Sequence, residues 1–219
     1  VNKQKVKLNK WYLFLTQLLN VWNGVIAFTK KSWVHALMLA ITFFIFAAAG
    51  YFAKYGEIKA ELAWQHQFQI KQAELQKQNT ERKVKAIMQM YNCKDFVILE
   101  AIMETKYPVT LACLIAQESE FNPLAVSHAD ARGLCQIMSY HFKRGDDWKN
   151  PTTSIRIADK LLSEYMEYFK DDPDQVSLAL ASYNAGFPLV KKIGRVPDID
   201  ETQHYVKRIN NNLQKVDML

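Results

Sequence analysis

The run "WVHALMLAITFFIFAAAGYFA", Trp33–Ala53, constrains this chain more than any other stretch, with 21 residues and no Lys, Arg, Asp or Glu. A helix rises 1.5 Å per residue, so the run reaches roughly 31 Å, about the hydrocarbon thickness of a bilayer. A buried core helix would carry polar positions on one side, whereas here only His35 and Thr42 are polar. A cleaved signal peptide is the competing reading, since "FAAAGYFA" offers small residues, but its apolar region would be shorter. The expectation is a retained transmembrane helix.

Charge is divided around that run. Residues 1–32 carry Lys3, Lys5, Lys7, Lys10, Lys30 and Lys31 and no acid, for +6; residues 54–94 carry +4 and residues 95–219 carry −4. The basic excess therefore belongs to the N-terminal part and its connector, interleaved with Trp and Tyr, which suits an anionic membrane surface better than nucleic acid. No nucleic-acid binding is expected of the C-terminal part. The purely basic flank before the span, against the mixed Lys54, Glu57, Lys59 and Glu61 after it, orients the N-terminus to the cytoplasm and the rest outside.

Trp11–Phe28 is apolar except for Thr16, Gln17, Asn20, Asn23 and Gly24, which share one helical face. An amphipathic helix in the membrane interface is expected there, with a second span forming a hairpin as the alternative. Residues 57–85 contain no Pro or Gly and are rich in Gln, Lys, Glu and Ala, a helix-forming composition. Ile58, Leu62, Phe68 and Leu75 are too sparse for a heptad seam, so the stretch reads as a polar helical stalk.

From about residue 95 the pattern turns globular and helical. "FVILEAIMETKY" reads as one amphipathic helix ended by Pro108 and "VTLACLIAQESEF" as the next. "SIRIADKLLSEYMEYF" repeats apolar residues at helical spacing, "DPDQVSLALASYNAG" stops at Gly186, and "ETQHYVKRINNNL" supplies a last helix. No run alternates as a half-buried strand should. The expected organisation is a basic segment with an interfacial helix over 1–32, a transmembrane helix over 33–53, a stalk over 54–94 and an all-α domain over 95–219.

Glu118 is the residue that asks for chemistry. It lies seven, four and three positions beyond Leu111, Leu114 and Ile115, on their apolar stripe, while Glu120 is rotated about 200° toward water. A carboxyl group on an apolar face is either a satisfied structural oddity or an acid whose pKa is raised for use.

The segments "AQESEFNPLAVSHADARGLCQIM", "LALASYNAG" and "ETQHYVKRI", in that order and at these spacings, resemble the lytic transglycosylases, peptidoglycan-cleaving relatives of goose-type lysozyme. The resemblance covers about residues 95–212 and implies a lysozyme-like helical domain with Glu118 as catalytic acid. It implies substrate-binding or orienting roles for Ser119, Ser127, Gly133, Gln136, Met138, Tyr183, Asn184 and Tyr205, with Glu201 a structural anchor. In the family the carboxyl protonates the glycosidic oxygen and then, as carboxylate, deprotonates the 6-hydroxyl of the same sugar, leaving a 1,6-anhydro-muramoyl end. The sequence departs from the family's usual residues at Asp130 (Gly), Cys135 (Met) and Ser139 (Pro).

Cys93, Cys113 and Cys135 are an odd number without metal-ligand spacing, and no cofactor or metal is expected. The resemblance implies an enzyme acting on peptidoglycan glycan strands, and the Trp33–Ala53 run with its flanking charges adds a membrane anchor that holds it outside the cytoplasmic membrane. The front end suggests assembly, as a homo- or hetero-oligomer, into an envelope-crossing complex, with phage genome entry favoured over secretion or conjugation. A non-catalytic peptidoglycan-binding scaffold and a water-using muramidase are the alternatives.

Overall fold

The structure is a computed structural model and describes residues 13–25 and 33–218. The basic residues of the first segment, Lys3 to Lys10 and Lys30–Lys31, lie outside the described residues. The chain divides into two compact units, residues 1–70 and 71–219.

In the first unit residues 13–25 form helix α1, and α2 begins at Trp33. Residues between Phe14 and Val25 line the same apolar cleft as residues between Leu39 and Ala53. The indole of Trp22 lies 5.8 Å from the ring of Phe43. Leu18, Trp22 and Val25 are partly covered, as is Thr16 of the polar stripe, whereas Gln17, Asn20, Asn23 and Gly24 stay exposed. The apolar side of α1 thus turns to the apolar stretch of α2, and its carboxamide stripe faces outward. Among the described residues one helix, Trp33–Met90, is long and apolar enough to cross a membrane, with a mean hydropathy of 2.1 over 18 residues. It runs unbroken through Ala53–Lys54, because no Pro or glycine pair interrupts the stretch that follows.

The second unit is the helical domain. The last turns of α2 present Val84, Ile87 and Met88, spaced three and four apart and buried, to its core. Helix α3, Phe96–Met103, is started by Asp95, whose carboxylate accepts from the N–H groups of Val97 and Ile98. It ends four residues sooner than the apolar pattern suggests. Tyr107, before a proline, is driven out of the helical region to φ −130°, and the Thr105 hydroxyl donates to the Ile102 carbonyl at 2.6 Å.

Pro108 opens α4, Pro108–Ser119, the central helix, in which Leu111 through Ala116 are all buried. Glu118 is therefore distinguished by its depth along α4, at the turn where the helix emerges, as well as by its stripe. Glu120 and Phe121 then take φ of 54° and 64° and stop the helix. Two such residues in succession cost on the order of 1–3 kcal/mol each. Burial of the Phe121 ring, 6.0 Å from Tyr91, offsets part of that.

Residues 131–138 make a two-stranded antiparallel hairpin, β1 (Ala131–Arg132) with β2 (Ile137–Met138), paired Ala131 to Met138 and Arg132 to Ile137. Two residues per strand are too few to show alternation, so no sequence pattern announced it. Helix α5, Pro151–Tyr168, is capped by Asn150. It packs on α6, Gln175–Ala185. Gly186 (φ 90°) then breaks the chain for a single residue before α7, Phe187–Ile193, which the sequence reading omitted. A proline at the second helical position starts that helix, although the "GFP" triplet reads as a stop. Helix α8, Asp200–Asp217, buries Thr202, Tyr205, Val206, Ile209 and Val216, and packs on α4 and α6.

Candidate active site

Glu118 leaves the core at the last turn of α4, half-buried as a residue, its carboxyl enclosed by neighbouring groups. The Tyr205 hydroxyl donates to its Oε1 at 2.6 Å. Burial pushes the Glu118 pKa from the ordinary 4.5 up to about 7; the Tyr205 hydrogen bond pulls it down and the Glu201 charge pushes it up. Desolvation wins because a buried carboxylate loses more hydration than one neutral donor returns. With Oε1 occupied, Oε2 is the oxygen on which a transferable proton can sit.

The chain around residues 133–136 is pinned from three helices. The Ser119 hydroxyl, from α4, donates to the Leu134 carbonyl at 2.6 Å. The fully buried Ser154, from α5, accepts from the Cys135 N–H at 3.1 Å. The Tyr183 hydroxyl, from α6, donates to the Cys135 carbonyl at 2.8 Å. The chain beside Glu118 is therefore held before any substrate arrives. Burial pushes the Tyr183 and Tyr205 phenols well above their ordinary range, and the negative charge of Glu118 acts in the same direction.

Two clefts open on the end of α6, where successive residues Tyr183 and Asn184 border one each. The first, about 420 Å³, is walled by Gln136, Met138, Tyr140, Tyr165, Tyr183 and Phe187. Tyr165 and Phe187 stack at 5.0 Å there, a surface on which a sugar ring can lie. The second, about 290 Å³, contains Glu118 with Asn184, Glu201, His204, Tyr205 and Arg208. The buried Thr202 hydroxyl donates to Asn184 Oδ1 at 2.7 Å, which leaves the Asn184 amide N–H groups as the end available to a ligand.

Glu118, Asn184 and Tyr205 are thus brought together in one cleft, with Gln136, Met138 and Tyr183 on the other. Other residues expected at the site are engaged internally. Ser127 Oγ accepts from the Ala131 N–H at 3.0 Å and closes its own loop. Gln136 donates through Nε2 to the carbonyls of Ala125 and Gly133, leaving only its carbonyl end open. Gly133, at φ 74°, makes its close approach to the backbone carbonyl of Trp148, which a Cβ would strike. Asp130 is bound by Arg132 through both Nε (2.9 Å) and an Nη (2.7 Å), so the charge it brings near the hairpin is largely neutralised.

Thr202, His204, Arg208, Tyr140 and Phe187 border or support the clefts without having been singled out in the sequence. The signal for Arg208 was available: positions 201, 205 and 208 share one face of a helix. Among the described residues no cluster of His, Cys, Asp or Glu could hold a metal.

Comparison with known families matches residues 96–206 to the transglycosylase SLT domain. The chain belongs to that family. The SLT domain accounts for the helical, lysozyme-like second unit and its scarcity of sheet. It also supplies the general activity, peptidoglycan lytic transglycosylation, and with it binding of peptidoglycan as substrate. All three pinning contacts and both clefts fall within the matched SLT region or, for Arg208, two residues past its end.

Proposed function

We propose that Glu118 is the general acid and then the general base of the SLT reaction on a membrane-anchored chain. The observation that carries this reading is an enclosed carboxyl with a pKa of about 7, one oxygen held by Tyr205 and the other free, at the wall of a sugar-sized cleft. Oε2–H protonates the glycosidic oxygen between the muramoyl and glucosaminyl residues as the bond to the muramoyl C1 breaks. The electron pair of that bond leaves with the glucosaminyl oxygen, and positive charge develops at C1 beside the new carboxylate. The carboxylate then takes the proton from the muramoyl 6-hydroxyl as its oxygen attacks C1, closing a 1,6-anhydro ring. One carboxyl group, restored to its starting state, serves both steps, so the pair used by most glycosidases is not required.

The protein in this reading stays attached to a membrane through Trp33–Ala53, with the SLT domain on the cell-wall side and local wall opening as its task. Phage genome entry is the setting we favour for an anchored enzyme of this kind. Cys93, half-exposed before α3, is a native reporter of sidedness. In intact cells an impermeant maleimide labels it while a cysteine introduced at Lys5 stays protected. Labelling of neither would instead mean a hairpin that returns the domain to the cytoplasm, which the packing of α1 along α2 favours as a second arrangement.

Glu201 in the cleft of Glu118 favours one rival chemistry, a hydrolase in which a second carboxylate guides water. Digestion of purified peptidoglycan by the full chain, beside Glu118→Gln, separates the two. Muropeptides lighter by one water than the reducing forms, absent with the variant, support the anhydro route; reducing ends support the hydrolase. Binding of murein without cleavage would leave only a scaffold.

A further inference from the structure

Arg208 occupies a position that the catalytic steps leave unused. It stands on α8 three residues beyond Tyr205 and four beyond His204, where side chains are neighbours on one face. Arg208 and His204 wall the cleft that holds Glu118 and Asn184. Among the described residues no carboxylate lies within ion-pair distance of the exposed Arg208; Arg82, Arg144 and Arg195 are unpaired in the same sense, but Arg208 is the one that lines this cleft. An unpaired guanidinium on the wall of a substrate cleft is suited to a carboxylate, which it meets through two parallel N–H groups.

Peptidoglycan offers a carboxylate beside the scissile bond. The muramoyl residue carries a lactyl ether on C3, ending in a free carboxylate where the stem peptide has been removed. Where the stem is present, the same group leads by an amide to an acidic peptide. We infer that Arg208, with His204 beside it, forms a subsite for a carboxylate borne by the muramoyl side of the strand.

Charge along α8 gives this subsite a direction. Glu201 lies seven residues from Arg208, roughly 10 Å of helix rise away, and it is the charge that also acts on Glu118. An anionic substituent is drawn to the Arg208 end of the cleft and repelled from the Glu201 end. Of two opposite strand orientations, the favoured one places the substituent over Arg208 while its sugar ring reaches Glu118. The subsite therefore selects strand polarity as well as composition, and it rests on the transglycosylase reading of this cleft.

The test separates the two. Binding of soluble glycan strands is measured on the full chain carrying Glu118→Gln, so that nothing is cut. Three strand forms are compared: stem-bearing, stripped to the free lactyl carboxylate, and stripped with that carboxylate converted to a methyl amide. Adding Arg208→Gln weakens binding by about fivefold on the form that supplies the carboxylate, and Arg208→Lys recovers part of the loss. The loss shrinks as salt rises. A loss confined to stripped strands identifies the lactyl group, and one confined to stem-bearing strands identifies the stem.

An equal loss on amidated strands, or no loss on any form, overturns the subsite. Failure of the unsubstituted chain to cut any strand, with Arg208-dependent binding intact, would remove the catalytic reading and leave the subsite standing. In the active chain the Arg208→Gln defect falls on KM rather than kcat.

Discussion

The Tyr205 hydroxyl and the Glu118 carboxyl, 87 positions apart in sequence, meet at 2.6 Å where α8 crosses the end of α4. The bond has two consequences. It fixes which carboxyl oxygen faces the substrate, and it restrains a pKa that burial alone would carry higher. An acid near pH 7 is a compromise between the two.

Replacement of Tyr205 by Phe removes the restraint without removing the ring. The Glu118 pKa then rises, so the limb of the pH–rate profile on which activity falls with increasing pH moves upward from about 7. With Oε1 no longer held, kcat falls by about tenfold at neutral pH. A profile of kcat/KM against pH for both proteins checks this. A lower rate with an unmoved limb would mean that Tyr205 only supports the packing of α8.

Glu118 also makes stability depend on pH. Its folded pKa, about 7, lies above the ordinary 4.5. The folded state therefore binds a proton that the unfolded chain releases more readily. Stability from this group is complete below pH 4.5 and is lost as pH rises through about 7. A shift of this size corresponds to about 3 kcal/mol in the fully ionised limit. Glu118→Gln cannot ionise, so its melting temperature exceeds that of the unsubstituted chain at pH well above 7, and the gap closes under acid conditions. Parallel melting curves at every pH would show that the carboxyl is not enclosed.

Thr202→Val keeps the buried shape and deletes the donor that holds Asn184 Oδ1 at 2.7 Å. The freed carboxamide turns, and the N–H groups offered to the sugar lose their aim. KM rises about fivefold, while stability falls by about 1–2 kcal/mol for the unsatisfied acceptor. Steady-state kinetics on soluble strands, with thermal unfolding alongside, distinguishes this from a purely structural role, which would leave KM unchanged.

Gly133→Ala tests the hairpin from the other side. The position has φ 74° and a Cβ would strike the Trp148 carbonyl, so strain and steric conflict act together. A loss of about 2–4 kcal/mol follows. Thermal unfolding reads it directly, and an unchanged midpoint would mean that the Trp148 segment gives way.

Much of this was open to a reader of the sequence. The dense apolar repeat of α5 marks its inward face and Gly186 marks the end of α6, whereas Val84, Ile87 and Met88, read as part of the stalk over 54–94, are buried in the core of the second unit. Others were invisible, because their cause lies elsewhere in the chain. The early end of α3 depends on the Tyr107–Pro108 geometry, and α7 is hidden by a triplet that both stops and starts helices. Ser127 and Gln136 carry groups that could bind sugar, yet backbone atoms of their own loop claim them. A sequence names the donors and leaves their partners unstated.

What the sequence by itself determined is whatever periodicity and composition can encode: an uncharged run long enough for a bilayer, a chain of amphipathic helices, and a glutamate on the apolar side of one of them. The tertiary structure decided which groups that glutamate meets. Tyr205 reaches Oε1, Glu201 adds its charge, Thr202 turns Asn184, and Arg208 stands unpaired on the same wall. The physical reason is range. Helix periodicity is a property of neighbours in sequence, whereas a pKa and a hydrogen bond depend on whatever folding brings within a few ångströms.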